Sequence, residues 1–325
     1  MKPSRWTMPL PQTEILLASP RGFCAGVERA IEIVERALDQ YGAPVYVKHA
    51  IVHNRHVVER LENMGAVFVE ELSQVPSGAH VVFSAHGVSP AVRQEAVGHS
   101  HQVLDATCPL VTKVHMEAVQ YAKADRTILL IGHKNHVEVQ GTLGEAPRHT
   151  QVVETVEDAL NVRVENPDKV SYLTQTTLSL DDTARIVESL KTRFPALQSP
   201  RREDICYATQ NRQTAVKALA READLILVVG SAHSSNSNRL VEVARSSGVE
   251  SHLLESLDSL EKGWLAGKQK IGITAGASAP EDVVRGLVDH LASQLKASIR
   301  ELVVIQEDVT FPLPAILAEP RKTGS

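Results

Sequence analysis

The sequence predicts an α/β protein of three similar βα lobes, each on a parallel sheet, arranged with pseudo-threefold symmetry around one central site. Three observations predict it. Short β-rich runs alternate with amphipathic stretches along the chain, the pattern of parallel-sheet α/β units. Three cysteines, Cys24, Cys108 and Cys206, each stand immediately before a helical pattern. Polar residues then recur at matching strand ends after each cysteine.

The strand candidates are "EILLA", "VYVKH", "HVVFSA", "TILLIG", "VSYLTQ", "LILVVG" and "KIGITAG". After Cys24, apolar residues fall at Val27, Ala30, Ile31, Val34, Ala37 and Leu38, a one-face helical stripe. "PLVTKVHMEAVQYA" repeats the pattern after Cys108, with Pro109 suited to a first helical turn. "YATQNRQTAVKALA" repeats it again after Cys206. The next strand of each segment ends in a polar loop: "IVHN" with His53, "GHKNHVEV" with His136 and "GSAHSSNSN" with Ser234, at 29, 28 and 28 residues from the cysteine. A third loop carries His86 in "SAHG", Thr176 in "TQTT" and Ser278 in "AGAS", at offsets of 62, 68 and 72, so insertions accumulate late in each segment. Any α/β chain alternates strand, loop and helix at about this spacing, but that alone does not place polar residues at matching strand ends. The expected lobes are 13–107, 108–205 and 206–294, with 295–325 a C-terminal tail packing back on the body. Ligands collect at the carboxyl ends of parallel strands, so three inward-facing lobes bring their loops to one point.

Composition narrows the function. The chain has 325 residues, 43% hydrophobic and 22% charged, with a net charge of −5. No basic run is long enough to track a phosphate backbone, which argues against nucleic acid. No apolar stretch approaches the roughly 20 residues of a membrane helix. The opening "MKPSRWTMPLPQ" lacks the apolar segment of a signal peptide. The expectation is a cytoplasmic protein with reduced thiols, and an odd cysteine count points to metal or catalytic use.

A cysteine at a helix N-terminus is expected to favour its thiolate. Three converging thiolates carry about three negative charges, tolerable only around a metal. Two arrangements fit. One is zinc completed by a histidine or water; the other is a [4Fe–4S] cluster with three irons held by protein and one left open. Ligands 84 and 98 residues apart do not resemble the short knuckles of structural zinc sites, and a missing fourth ligand points to substrate chemistry at the open iron. Taken singly, each cysteine reads as a buried structural thiol; the threefold recurrence reverses that. His53, His86, His136, Thr176, Ser234, Ser235, Asn236 and Ser278 form a donor set suited to a polyanion such as a diphosphate, which also favours helix N-termini. The motifs add no obvious lysine or arginine to it. Of the 14 histidines, His49, His99, His101 and His290 read as surface or core fillers, and His133 and His233 fall off the repeat register. Glu138 is the only carboxylate in the predicted site loops. Beside negative groups it should hold its proton more readily, which suits a proton donor.

"RGFCAGVERAI", "IVHNRHVVERL", "FSAHGVSPAVR", "DATCPLVTKVH", "TQTTLSLDDT", "DICYATQNRQ", "SSNSNRL" and "TAGASAPEDVV" resemble, in order, the 4-hydroxy-3-methylbut-2-enyl diphosphate reductase family. The resemblance runs from about Ile15 to Val309 in the "DVTFPLP" tail. It implies a three-lobed α/β fold around a central metal-cluster site, one [4Fe–4S] cluster, with Cys24, Cys108 and Cys206 as its ligands and one open iron. It implies that His53, His86, His136, Ser234, Ser235, Asn236 and Ser278 bind mainly the diphosphate of an allylic diphosphate substrate. Thr176 and Glu138 would sit beside the substrate hydroxyl, with Glu138 the proton source and His136 close by. The implied reaction is reductive dehydroxylation: the allylic alcohol binds the open iron, two electrons arrive through the cluster, water leaves, and the allyl anion is protonated to isopentenyl or dimethylallyl diphosphate. Ferredoxin or flavodoxin is the implied electron donor. Two features depart from the family: Val137 stands where proline is usual between His136 and Glu138, and residues 1–12 have no counterpart. Two other readings of the same residues are a zinc hydrolase with Glu138 as general base and a non-catalytic iron–sulfur sensor that binds a diphosphate.

Overall fold

The computed structural model describes residues 13–318, so the N-terminal extension lies outside the described residues. In chain order, β1 (Glu14–Ser19) leads to α1 (Ala25–Tyr41), β2 (Val45–Lys48), α2 (Arg55–Asn63), β3 (Ala66–Val69), β4 (His80–Phe83), α3 (Pro90–Gly98) and β5 (Gln102–Asp105). Next come α4 (Pro109–Lys123), β6 (Thr127–Ile131), α5 (Val137–Glu145), β7 (Thr150–Val153), α6 (Val156–Asn161), β8 (Val170–Thr174) and α7 (Leu180–Arg193). The chain then forms α8 (Tyr207–Leu219), β9 (Leu225–Val229), α9 (Ser235–Ser246), β10 (Glu250–Leu254), β11 (Lys270–Ala275), α10 (Glu281–Leu295), β12 (Ser298–Val303) and α11 (Ala315–Ala318).

The chain divides into two compact units, one of residues 23–210 with the segment from 308 onward, the other of residues up to 22 with 211–307. The larger unit holds two sheets, ordered β3-β2-β4-β5 and β7-β6-β8, and the smaller holds one, ordered β10-β9-β11-β1-β12. Every pairing is parallel, as the alternation of strands and helices predicts. In each sheet the first strand after a cysteine-led helix (β2, β6 or β9) lies between the next two. A further segment follows beyond the third strand: β5 beside β4, β1 beside β11, and a single bridge from Ser171 to Gln198 beside β8. Each of these segments runs on into a cysteine.

The first strand of the chain belongs to the sheet of the smaller unit. β1 pairs from Glu14↔Lys270 on one side and from Glu14↔Ser298 to Ser19↔Val303 on the other, so it completes the sheet of the third segment rather than opening the first. The reason is in its sequence. Ile15 and Leu16 point to opposite faces and are both fully buried, and a strand that is apolar on both faces belongs inside a parallel sheet. The sheet also takes in β12, beyond residue 294.

The predicted α1 stripe packs on Val45, Val47, Val82 and Leu104. Leu313 and Leu317 join this core, Arg29 Nε donates to the Pro312 carbonyl at 2.8 Å and Arg36 donates to that of Leu317 at 3.1 Å. Of the tail expected over 295–325, this later stretch packs on α1. In the second sheet Leu129 and Ile131 face Leu190 and Phe194, while Ile128 and Leu130 face Val114 and Tyr121. In the smaller unit Ile15 and Leu16 feed separate cores on the two faces.

Candidate active site

The larger unit places all three cysteines at helix starts. Cys24 is the N-cap of α1, Cys108 is the N-cap of α4 ahead of Pro109, and Cys206 directly precedes α8. The carbonyls of the three accept the first helical hydrogen bonds, from Glu28 at 2.9 Å, Thr112 at 2.9 Å and Gln210 at 3.0 Å. Two of them are tied to polar loops: the Cys108 N–H donates to the carbonyl of Ala85, beside His86, and the Cys206 N–H to that of Thr176, each at 3.0 Å. Gly26 explains how two of the sulfurs share space. A Cβ on this residue would lie 2.7 Å from Cys108 Sγ and 3.9 Å from Cys24 Sγ. Only glycine leaves that volume to sulfur.

The expectation that the helix ends lower these thiol pKa values is overturned for two of them. Burial, and then the neighbouring Cys24, push Cys108 up to about 12 and Cys206 up to about 11. Hydrogen bonds from the N–H groups of Leu110 and Val111, and from Thr209 at Cys206, act the other way and lose. Desolvation of an anion outweighs a half-charge at a helix end. These sulfurs become thiolates when a cationic group offsets that cost, so the donor chemistry suits a metal group. Among the described residues, no three His, Cys, Asp or Glu side chains are grouped to hold a single metal ion.

His53, His86 and His136 come together. The rings of His53 and His86 stack at 4.2 Å, and His136 meets them edge-on at 5.4 and 5.9 Å. Burial, followed by repulsion from His53, His136 and His49, holds His86 well below the usual imidazole range. Burial, then His53 and His133, lowers His136 to about 4. Both rings are neutral near pH 7. His136 is also the N-cap of α5, where its Nδ1 accepts the Glu138 N–H at 3.2 Å, so its own proton sits on Nε2. Val137 occupies the first position of α5, the place where proline is also at home.

Glu138 is 3% exposed. One oxygen accepts the Thr176 N–H at 2.6 Å and the other the Thr176 hydroxyl at 3.1 Å. Burial raises its carboxyl to about 7 despite these two hydrogen bonds. The direction is the one expected of Glu138, but its first cause is desolvation; of neighbouring charges, Asp204 adds to it.

The smaller unit gathers the remaining predicted residues. Ser234 caps α9 by accepting the Ser237 N–H at 3.3 Å, Ser235 begins that helix, and Asn236 Oδ1 accepts the Ala277 N–H at 2.9 Å, next to Ser278. Ser234, Asn236 and Ser278 are buried. The residues read as fillers or off register include two that act on the imidazoles, His49 on His86 and His133 on His136. His49 adopts a left-handed backbone, φ 61°, uncommon for a non-glycine residue. Its only signal in the sequence is its place four residues before His53 in "VKHAIVHN".

These features define a class: parallel-sheet α/β proteins of three cysteine-led segments, with clustered imidazoles and a buried acid. The chain belongs to the LytB protein family, whose sequence profile matches residues 15–292. It is 58% identical over 301 residues to a 4-hydroxy-3-methylbut-2-enyl diphosphate reductase of Bordetella bronchiseptica, covering 93% of this chain and 92% of that protein. A protein of the same name from an Azoarcus species is 56% identical over 308 residues, 95% of this chain and 99% of its own length. The solved structure of E-1-hydroxy-2-methyl-but-2-enyl-4-diphosphate reductase from Plasmodium falciparum superposes with a TM-score of 0.92 at 42% identity, covering 94% of this chain and 97% of that one.

Proposed function

We propose that the chain catalyses the two-electron reductive dehydroxylation of 4-hydroxy-3-methylbut-2-enyl diphosphate to isopentenyl and dimethylallyl diphosphate, the step that yields isoprenoid precursors. The chain is an oxidoreductase of the LytB family. One observation carries the mechanistic reading: an acid with a pKa of about 7, fixed by two hydrogen bonds to Thr176, whose carbonyl in turn receives the N–H of a cysteine at a helix start.

The three thiols suit one [4Fe–4S] cluster held by Cys24, Cys108 and Cys206, with one iron free of protein ligands. When bound, such a cluster supplies the two electrons that the C–O cleavage consumes. The hydroxylated diphosphate, two electrons and two protons give the dehydroxylated diphosphate and water. Burial makes Glu138 hold its proton more tightly than an exposed carboxyl does, and the Thr176 hydroxyl holds one carboxyl oxygen so that the acid is aimed, not free to rotate. Delivered to the departing hydroxyl, that proton converts a poor leaving group into water. His53, His86 and His136 offer imidazole donors to a diphosphate, and the neutral state of His86 and His136 keeps the unliganded protein from burying clustered cations. Ser234, Ser235 and Asn236 at the start of α9, and Ser278 in the loop after β11, offer neutral donors, which suit an anion. We assign ferredoxin or flavodoxin as donor and the cytoplasm as location; no helix among the described residues is long and apolar enough to cross a membrane.

The test is an anaerobic assay of the brown, cluster-loaded protein with reduced viologen and the hydroxylated diphosphate. Oxidation of reductant in step with product supports the reading. A colourless zinc protein, or one that binds the diphosphate without consuming reductant, overturns it.

A further inference from the structure

We propose that His115 is a positioning residue, whose ring is the spacer that sets the His86 turn and the helix bearing His136 and Glu138 against the Cys108 helix. The proposal rests on the roles given above to His86 and Glu138. His115 lies on α4, seven residues after Cys108, and is 3% exposed. Its Nδ1 is 3.0 Å from an oxygen of Glu145, the last residue of α5, and Arg93 of α3 reaches the same oxygen at 2.8 Å. Burial alone would raise the Glu145 carboxyl, but the hydrogen bonds from His115 and Arg93 hold it below its usual range. One charged knot thus joins α3, α4 and α5.

The opposite edge of the ring meets bare backbone. A Cβ on Gly87, the residue after His86, would lie 3.0 Å from His115 Cε1. A Cβ on Gly141, one turn after Glu138, would lie 3.3 Å from both Cε1 and Nε2. That Nε2 is buried without a hydrogen-bond partner among the described residues. An orphaned polar atom costs stability, so an apolar residue would be preferred if this position needed only to fill space. Imidazole alone supplies both a donor for Glu145 and a thin flat edge for the two glycines. α5 is gripped a second time at Gly144, where a Cβ would fall 2.4 Å from that of Ser89, the N-cap of α3. The helix carrying the acid is therefore seated by contact at backbone distance, with no side chain to absorb a shift.

The experiment is a double-mutant cycle on the cluster-loaded enzyme, with reduced methyl viologen as donor. Gly141→Ala places a methyl against the ring while improving helix propensity. We expect kcat to fall at least tenfold and the substrate Kd to rise, with iron content and thermal midpoint close to the parent. His115→Asn keeps a donor for Glu145 but removes the far edge of the ring. Combined with Gly141→Ala it should restore turnover at least fivefold over Gly141→Ala alone. A change in Kd separates positioning from simple loss of folded protein, which lowers apparent kcat only. Parent kcat and Kd in Gly141→Ala, or losses that multiply independently in the pair, overturn the proposal. If Gly141→Ala does not fold, His115→Asn alone decides: at least tenfold lower kcat with full iron supports the spacer, and parent kcat refutes it. Glu138→Gln is run alongside. Near-parent turnover in that variant would overturn the proton role itself, whatever the pair does.

Discussion

Glu138→Gln removes a proton donor while keeping the size and most of the hydrogen bonding of the side chain. The amide oxygen can accept the Thr176 N–H, and the amide nitrogen can donate to the Thr176 hydroxyl, which turns to accept. In the native protein burial raises the Glu138 carboxyl from 4.5 to about 7, a difference worth about 3 kcal/mol. Because the folded pKa lies above the unfolded one, the native state binds this proton more tightly. Stability from this group is thus full below about pH 4.5, is lost as pH rises toward 7, and stays lost above it. Glutamine has no such dependence. The variant should therefore gain on the parent progressively between pH 5 and 8, by about 2–3 kcal/mol at the top of the range, in anaerobic urea unfolding of the loaded protein. Turnover should move the opposite way, falling about 10²-fold or more, the scale of a lost general acid, with substrate affinity little changed. A stability difference flat across this window would refute the buried-acid assignment. Turnover near the parent rate would send the proton role elsewhere, with His136 the next candidate.

The other predictions concern the thiols and the imidazoles. Cys24→Ser, Cys108→Ser and Cys206→Ser should each lose most activity and retain less iron; full iron and full turnover in any one would make that cysteine structural. Gly26→Ala should lose iron as well, since its methyl would compete with the Cys108 sulfur at 2.7 Å; parent iron content by colorimetric assay would show that the sulfur has room to move. Air should inactivate the enzyme faster than it unfolds the chain, with bound substrate slowing the loss, because the proposed cluster has one iron without a protein ligand; activity unchanged after hours in air would point to a fully ligated group. His53→Ala and His86→Ala should each weaken substrate binding by roughly 1–3 kcal/mol with cluster spectra intact, as measured by calorimetry.

What the sequence made legible follows the physics of burial. The seven quoted strand candidates correspond to β1, β2, β4, β6, β8, β9 and β11, and of these only β8 lies at a sheet edge, where Gln198 bridges it. The remaining strands, β3, β5, β7, β10 and β12, are all edges. An edge strand needs burial on fewer sides, so "QVLD" and "SIRELV" keep polar residues and lose the apolar signature. The cysteine-to-helix repeat was readable because each thiol sits at an abrupt change of pattern. That β1 closes the third sheet was not, since strand pairing across the length of the chain leaves no local trace. Glu138 stood out as a lone carboxylate in a donor loop. The roles of His49, Gly26 and His115 are set by what packs against them: a left-handed loop, a sulfur and two glycine backbones. Such contacts belong to the fold, and no spacing encodes them.

The most direct test of the account is electron counting. Under strict anaerobiosis, the cluster-loaded protein is given the hydroxylated diphosphate and titrated with a reductant of known concentration, and both products are quantified. The account predicts two electrons consumed for each molecule of isopentenyl or dimethylallyl diphosphate formed, with turnover abolished in Cys108→Ser. Diphosphate bound tightly with no reductant consumed, or product formed without electrons, would contradict it.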